Sequence, residues 1–381
     1  MTRIRIFTGG SVFDGAQFYP ACDLRLSGST ILEIGPGLNR HDADEEIDLA
    51  GDILCPGFVD LQVNGGDGIM FNDDPSIETL ERIAGAHGAL GASTILPTLI
   101  TDTPDKTFAA CAAAIEAARV GLPGIGGLHL EGPHISVEKC GAHDPALVRP
   151  LEAADLQLLL ETVSQLPVLF VTLAPEAVTP DQVATLKKAG VRISLGHTAA
   201  DFDTCVAYMQ MGAMCVTHLF NAMSQLSSRQ PGLVGATFAQ DAVFAGLIAD
   251  GIHVHPQSIR TAFDASSGAE RIFLVSDAMA PTGTDIGQFE LNGRTVTRRD
   301  GRLTLADGTL AGADLTLTRA VRVLVEDVGI PLETALRAAT SVPAAAAGLA
   351  KPAGHLAAGS SGPVLRLSHA LDRVTVLNSG V

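Results

Sequence analysis

Short apolar runs recur along most of the chain, and each is followed by a segment with helical spacing or a high alanine content. The apolar runs cover residues 57–63, 93–99, 125–130, 168–173, 191–195, 214–220, 243–248 and 272–275. The helical segments between them include residues 77–90, 105–120, 180–189 and 200–211. These strand–helix alternations, over about 290 residues, predict an α/β fold. Alternation alone fits both a (β/α)₈ TIM-type barrel and a doubly wound open sheet.

Polar residues at the ends of these runs distinguish the two folds. They are Gln62, Asn64, Glu131, His197, His218, Asp250, His253 and Asp277. Active sites of (β/α)₈ barrels are built at the carboxyl ends of the strands, whereas an open sheet gathers its site at one switch point. Because the polar residues follow most of the runs, we predict a barrel over residues 55–345.

Both ends of the chain have strand-like patterns. Residues 4–7, 23–26 and 31–34 are short candidate strands near the start, and residues 364–367 and 374–377 are candidates in the tail. We expect residues 1–54 and 346–381 to form one small β-domain, with the barrel inserted between them. Residues 286–311 interrupt the barrel pattern, and Asn292-Gly293 within them predicts an inserted hairpin.

Composition limits the classes of partner. The 381 residues are 46% hydrophobic, enough for a large core, and carry a formal net charge of −17. This charge argues against nucleic-acid and anionic-membrane partners, and an anionic substrate would need local positive groups. The six cysteines form no Cys-x-x-Cys pair, and no apolar stretch resembles a signal peptide or a membrane span. We therefore expect free, buried thiols in a cytoplasmic protein.

Glu131, His197 and His218 are the candidate metal ligands. Each stands at the end of a predicted strand, so the barrel would bring the three together. Two imidazoles and one carboxylate suit Zn²⁺ and its neighbours, and leave a position open for water. Alone, a glutamate or histidine at such a place is more often an ordinary loop or core residue. Their recurrence at equivalent places favours the metal site.

Other polar residues could serve the same site. Asp277 ends an apolar run and is the best candidate for a general base and acid, although a helix N-cap is the alternative. His143 could polarise a carbonyl group, and His253 could bind a hydroxyl or phosphate group of the substrate. Arg229 suits phosphate oxygens, but a lone loop arginine is more often simply solvated. His134 receives no role.

Six motifs carry a resemblance that runs nearly from end to end. They are Pro56-Gly57-Phe58-Val59-Asp60, His129-Leu130-Glu131-Gly132-Pro133, Gly196-His197-Thr198, Thr217-His218-Leu219-Phe220-Asn221-Ala222-Met223, Ala249-Asp250-Gly251-Ile252-His253 and Val275-Ser276-Asp277-Ala278. In their order and residues the chain resembles the N-acetylglucosamine-6-phosphate deacetylases of the amidohydrolase superfamily. The resemblance implies a barrel with a small β-sandwich domain, and a homodimer. It also implies metal-dependent hydrolysis of N-acetyl-D-glucosamine 6-phosphate to D-glucosamine 6-phosphate and acetate, in amino-sugar catabolism or cell-wall recycling.

The resemblance implies residue roles motif by motif. Glu131, His197 and His218 would bind the metal, Asp277 would be the catalytic acid and base, and His143 would assist catalysis. The implied substrate-binding residues are Ala142, His143, Asn221, Ala222, Arg229, His253, Leu310, Ala311 and Gly312.

Gln62 and Asn64 mark a departure from many amidohydrolases, in which His-x-His at this place holds a second metal. The two side chains share one strand face, but amides are poor metal ligands beside imidazole. We therefore expect one divalent ion, Zn²⁺ first, with Fe²⁺, Co²⁺ and Mn²⁺ as alternatives. We place Gln62 and Asn64 among the substrate-binding residues.

Two rival functions stay open. Another amidohydrolase, acting on a cyclic amide or an N-acyl amino acid, would not need Arg229 and His253 as a phosphate clamp. A non-catalytic sugar-phosphate sensor on the same barrel would not need both the metal ligands and Asp277.

Overall fold

The computed structural model describes residues 3–266 and 270–377. Residues 1–2 and 378–381, which belong to the predicted β-domain, lie outside the described residues. The strands before the barrel are β1 (Ile4–Thr8), β2 (Ser11–Phe13), β3 (Phe18–Tyr19), β4 (Asp23–Ser27), β5 (Thr30–Gly35), β6 (Glu45–Asp48) and β7 (Ile53–Pro56).

The middle of the chain alternates strands and helices as predicted. Its elements are β8 (Phe58–Val63), β9 (Gly65–Gly66), β10 (Ile69–Met70), α1 (Ile77–Ala89), β11 (Ala92–Ile100), α2 (Pro104–Val120), β12 (Leu128–Glu131), α3 (Ala153–Val163), β13 (Leu169–Leu173), α4 (Pro180–Ala189), β14 (Arg192–Leu195), α5 (Phe202–Met211), β15 (Ala213–Val216), α6 (Gly232–Ala239), β16 (Phe244–Leu247), α7 (Pro256–Ala265) and β17 (Ile272–Leu274). A short 3₁₀ turn covers Val137–Lys139.

The last part of the chain contains an inserted sheet, three helices and two strands. They are β18 (Gln288–Leu291), β19 (Arg294–Arg299), β20 (Arg302–Thr304), β21 (Leu310–Ala313), α8 (Leu317–Glu326), α9 (Leu332–Ala339), α10 (Ser341–Ala347), β22 (Val364–Leu367) and β23 (Val374–Val376).

Eight parallel strands form the barrel, in the order β17-β16-β15-β14-β13-β12-β11-β8. The first and last strands meet at a seam, where Asp277 N donates to Gln62 O at 3.1 Å and Asn64 N donates to Ala278 O at 2.8 Å. A parallel bridge between Val63 and Ala278 completes the seam. The predicted (β/α)₈ barrel is therefore confirmed, and the open sheet is excluded.

Local sequence explains the sharp ends of the barrel helices. In α4, the Thr179 side chain accepts from Gln182 N while Gln182 Oε1 accepts from Thr179 N at 2.8 Å, which is a capping box. Pro180 occupies the first turn, where its missing N–H costs nothing. Gly190 ends the helix at φ +97°, a conformation that glycine adopts without strain.

Two sheets at the ends of the chain pack face to face. One has the order β5-β4-β1-β6, and the other has the order β23-β22-β7-β2-β3. Strand β22 pairs antiparallel with β7, so the tail joins the first part of the chain as predicted. A shared apolar cluster lies between the sheets and includes Phe7, Leu24 and Leu26 from one sheet and Val12, Leu54 and Val364 from the other. The domain limits 1–54, 55–345 and 346–381 stay a prediction.

The insertion is a four-stranded antiparallel sheet, here called the ribbon (residues 288–313). The predicted Asn292-Gly293 turn joins β18 to β19, with φ of 49° and 71° at the two residues. The ribbon is larger than the predicted hairpin because β20 and β21 extend it. Its apolar face, including Leu291, packs on Met279 and neighbours beside the barrel mouth.

Among the described residues, no helix combines the length and apolar character that crossing a bilayer requires.

Candidate active site

A cavity of about 550 Å³ opens at the carboxyl ends of the barrel strands. Most of the residues predicted to form the site line this cavity. They are Asn64, Glu131, Ala142, His143, His197, His218, Asn221, Ala222, His253, Asp277, Leu310 and Gly312.

Glu131, His197 and His218 converge at the floor of the cavity. Glu131 ends β12, and each histidine stands two residues beyond the end of its strand. The Nε2 atoms of His197 and His218 lie 3.1 and 3.0 Å from Glu131 Oε1, and 3.0 Å from each other. A ligand atom of His143 also lies within 4.8 Å of those of Glu131 and His197. This cluster is a possible metal site.

The donor atoms of this cluster suit a cation. His197 Nδ1 lies 2.8 Å from the carbonyl oxygen of Lys139, which can only accept a hydrogen bond, so Nε2 is the ring nitrogen that faces Glu131 and His218. Burial alone raises the pKa of Glu131, but hydrogen bonds to His197 and His218 outweigh burial and hold the pKa well below its ordinary value. One carboxylate and two imidazoles fit Zn²⁺ and its first-row neighbours better than Mg²⁺ or Ca²⁺.

Three of the converging residues have a strained backbone. His197, His218 and Asp277 have φ of 48°, 30° and 48°, in the left-handed region that side chains with a Cβ seldom adopt. Such a conformation costs about 1–3 kcal/mol at each residue and persists only where the surrounding structure enforces it. This backbone conformation turns their side chains into the cavity just beyond the strand ends. Backbone strain at three converging residues supports a functional role for them.

Asp277 lies at the seam of the barrel, and its side chain lines the cavity. Its Oδ1 accepts hydrogen bonds from Asn64 Nδ2 at 2.7 Å and from Gln62 Nε2 at 3.1 Å. Burial, and then the negative charge of Glu131, raises the pKa of Asp277 to about 6. A carboxyl group with a pKa near neutrality can both accept and return a proton.

Gln62 bridges the two acidic side chains. Its Nε2 lies 3.1 and 3.0 Å from the two carboxylate oxygens of Glu131, in addition to its contact with Asp277. The side chain is buried behind them and does not line the cavity. An amide N–H therefore satisfies the carboxylates at the place where many amidohydrolases carry a histidine.

His143 lines the cavity beside His197. Burial lowers the pKa of its imidazole to about 3, so the ring is neutral at physiological pH. Its Nδ1 lies 2.7 Å from the hydroxyl of Thr101, and its ring centroid is 4.4 Å from that of His197.

His253 is held by the acidic residue three positions before it. Asp250 Oδ2 lies 2.7 Å from His253 Nδ1, and Asp250 Oδ1 accepts from the backbone N–H groups of Ile252 and His253 at 2.8 Å. These contacts fix the imidazole, which lines the cavity.

Other predicted residues lie away from the cavity wall. Ala311 is buried in the apolar core of the ribbon. Arg229 is exposed on the segment 225–230 and has no hydrogen bond or ion pair within the described ranges. His134 is buried beside the carbonyl oxygen of Arg149, at 3.1 Å from it, and is also outside the cavity. The roles assigned to these residues, and to the predicted residues that line the cavity, stay predictions.

Part of the cavity wall was not predicted from the sequence. Ile100, Met279 and Leu291 add apolar surface, and Glu138, Lys139, Gly308 and Thr309 border the mouth. Thr101, the hydrogen-bond partner of His143, was not predicted either. Thr101 directly follows β11, in the same position relative to its strand that marked the other site residues, so its place at a strand end was an available signal.

Comparisons with known proteins agree with this geometry. The model of the amidohydrolase family matches residues 53–362. An N-acetylgalactosamine-6-phosphate deacetylase from Shewanella sp. is 44% identical over 89% of this chain and 86% of its own length. An N-acetylglucosamine-6-phosphate deacetylase from Haemophilus influenzae is 34% identical over 85% and 84% of the two chains. The crystal structure of the N-acetylglucosamine-6-phosphate deacetylase from Pasteurella multocida superposes with a TM-score of 0.91, at 32% identity over 98% and 97%.

The resemblance predicted from the six motifs is thus confirmed over most of the chain. The fold, the cavity and the family match lead to one assignment: the chain belongs to the amidohydrolase family.

Proposed function

We propose that the chain removes the acetyl group from an N-acetylhexosamine 6-phosphate. The first substrate is N-acetyl-D-glucosamine 6-phosphate, and the products are D-glucosamine 6-phosphate and acetate. The observation that carries the proposal is the convergence of Glu131, His197 and His218 on the cavity that also holds Asp277. The names of the relatives support a phosphorylated N-acetylhexosamine as the substrate class.

Glu131, His197 and His218 would hold one divalent ion. Zn²⁺ is the first candidate, and Fe²⁺, Co²⁺ and Mn²⁺ are alternatives. When bound, such an ion supplies Lewis acidity for the amide carbonyl and for a water molecule. Gln62 and Asn64 offer amides instead of a second pair of imidazoles, which supports a single ion.

Asp277 moves the protons in the proposed reaction. With a pKa of about 6 it is mostly ionised at pH 7 and accepts a proton from the attacking water. The protonated side chain then donates to the nitrogen of the leaving amine as the C–N bond breaks. His143, neutral and buried, donates a hydrogen bond to the amide oxygen, where negative charge develops.

The rest of the substrate is held at a distance from the reacting bond. His253, fixed by Asp250, and the segment with Asn221 and Ala222 would contact the sugar and phosphate. Arg229 is the proposed cationic ligand of the phosphate. Because Arg229 is exposed and does not line the cavity of its own chain, we also propose a homodimer, in which the segment 225–230 can contact substrate in the cavity of the neighbouring subunit.

Free cysteines throughout the described part of the chain support a cytoplasmic location.

A substrate panel tests the proposed function. Acetate release by the zinc-loaded protein is measured with four compounds. They are N-acetyl-D-glucosamine 6-phosphate, its epimer N-acetyl-D-galactosamine 6-phosphate, unphosphorylated N-acetyl-D-glucosamine and an N-acetyl amino acid. The epimer is included because the relative with 44% identity is named for it. We expect at least one phosphorylated sugar to be turned over with a kcat/KM about 100-fold above that of the free sugar. Equal turnover of both would remove the phosphate requirement, and preference for the amino acid would favour the rival amidohydrolase.

A further inference from the structure

Thr101 and His143 are joined through a single ring nitrogen. The backbone N–H of Thr101 donates to His143 Nδ1 at 3.4 Å, and the Thr101 hydroxyl lies 2.7 Å from the same atom. Thr101 is fully buried and His143 is 4% exposed. No other hydrogen-bond partner of this hydroxyl occurs among residues 3–266 and 270–377.

These contacts determine which nitrogen of the ring carries the proton. A backbone N–H can only donate, so a proton on Nδ1 would lie against the amide hydrogen of Thr101. The buried hydroxyl needs an acceptor for its own proton, and Nδ1 is the one within reach. Both donors therefore require a lone pair on Nδ1. In the neutral ring the proton then resides on Nε2.

We infer that Thr101 is a positioning residue that holds His143 in the Nε2–H tautomer, so that the ring presents a hydrogen-bond donor to the cavity. The inference rests on the proposed function for the identity of the acceptor, which is the amide oxygen of the substrate. It also separates His143 from the metal ligands. Its Nδ1 lone pair is already engaged by Thr101, and its Nε2 carries a proton rather than a lone pair.

Neighbouring residues place Thr101 for this task. The buried side chain of Asn72 accepts from Ile100 N at 3.2 Å and donates to Ile100 O at 3.0 Å, which fixes the backbone immediately before Thr101. On the other side lies Gly132, where an added Cβ would be 2.2 Å from the Thr101 hydroxyl oxygen. Glycine at this position therefore allows the hydroxyl to approach the ring.

The tautomer can be measured without any turnover. Zinc-loaded protein, in which the ion is diamagnetic, is labelled with ¹⁵N at the histidine side chains, and the His143 signals are assigned by their loss in His143→Gln. We expect the ¹⁵N shifts and couplings of a neutral ring protonated on Nε2. A ring protonated on Nδ1, or on both nitrogens at pH 7, would overturn the inference whatever the enzyme's substrate. A missing deacetylase activity with an Nε2–H ring would overturn the proposed function alone.

Kinetics of three variants test the role of Thr101 itself. Thr101→Val removes the hydroxyl with little change in shape, and we expect kcat to fall about tenfold with KM changed less than about threefold. Thr101→Ser keeps the hydroxyl and should restore kcat to within about twofold of the original chain. Thr237→Val is the matched control, because Thr237 is equally buried but its hydroxyl bonds to Leu233 O within α6. Unchanged kcat in Thr101→Val, or an equal loss in Thr101→Ser, would show that the hydroxyl does not position His143.

Discussion

The side-chain amide of Asn64 donates a hydrogen bond of 2.7 Å to the Asp277 carboxylate, across the seam that joins the first and last barrel strands. The contact stabilises the ionised form of Asp277 and so opposes the effect of burial on its pKa. The residue pair Gln62 and Asn64, which the sequence marks as a departure from His-x-His, thus acts on the proposed acid–base group, Asp277. The contact makes the pH dependence of the reaction a direct test of the arrangement.

Activity should rise with pH through the pKa of Asp277, because the ionised form accepts the proton of water. With that pKa raised to about 6, kcat/KM is expected to fall below pH 6 and to level off above it. Asn64→Leu removes a hydrogen bond that lowers the pKa, so its acid limb should move upward by roughly one pH unit. A pH profile of kcat/KM for both proteins measures the shift. A limb that stays in place or moves to lower pH would contradict the role of Asn64.

Replacing Asp277 should separate chemistry from metal binding. Asp277→Asn keeps the shape of the side chain but cannot accept a proton, so turnover should drop by about 10³-fold or more. The metal content, measured by mass spectrometry after dialysis, should equal that of the original chain because Asp277 is outside the proposed ligand set. Full activity in this variant would remove the acid–base assignment, and loss of the ion would make Asp277 a ligand.

Two neighbouring substitutions should have opposite effects on the ion. Glu131→Gln removes the only carboxylate in contact with both His197 and His218 among the described residues, so the protein should lose its metal. Gln62→Ala removes only an amide that donates to the carboxylates, so the metal should remain. Metal content and the affinity for added Zn²⁺ distinguish the two variants. A metal-free Gln62→Ala protein would show that the amide is needed to orient Glu131.

Arg229 is expected to act on the phosphate of the substrate. Arg229→Gln should raise KM for the phosphorylated sugar about tenfold and leave the weak turnover of the unphosphorylated sugar unchanged. Arg299→Gln, in the ribbon, is the matched control because that side chain is also exposed. Equal effects of Arg229→Gln on both sugars would contradict a phosphate contact. Light scattering of the same proteins measures the proposed homodimer.

The barrel strands are predictable because strands covered on both faces read as continuous apolar runs. The run 214–220 shows the limit of this signal. The strand ends at Val216, yet Leu219 is fully buried and prolongs the apolar run. His218, Phe220 and Ala222 have positive φ, so the chain turns where hydropathy alone suggests that it stays extended.

A site residue is predictable from the sequence when its own side chain has a distinctive chemical function. Glu131, His197, His218 and Asp277 are recognisable because ionisable groups seldom end buried strands without a role. Thr101 is different, since a threonine is common in any strand and its role depends on a partner 42 residues away. The position of Arg229 relative to the cavity depends on the path of an exposed segment, which the sequence pattern does not encode.

The seam between β8 and β17 has a consequence for folding. Gln62 and Asp277 are 215 residues apart in the chain, and they meet only when the last strand closes against the first. Partly assembled barrels, even with most strands paired, therefore lack the contact that holds Asp277, the proposed acid–base group, in place. Recovery of activity during refolding should thus report barrel closure, and should lag behind the recovery of helical signal.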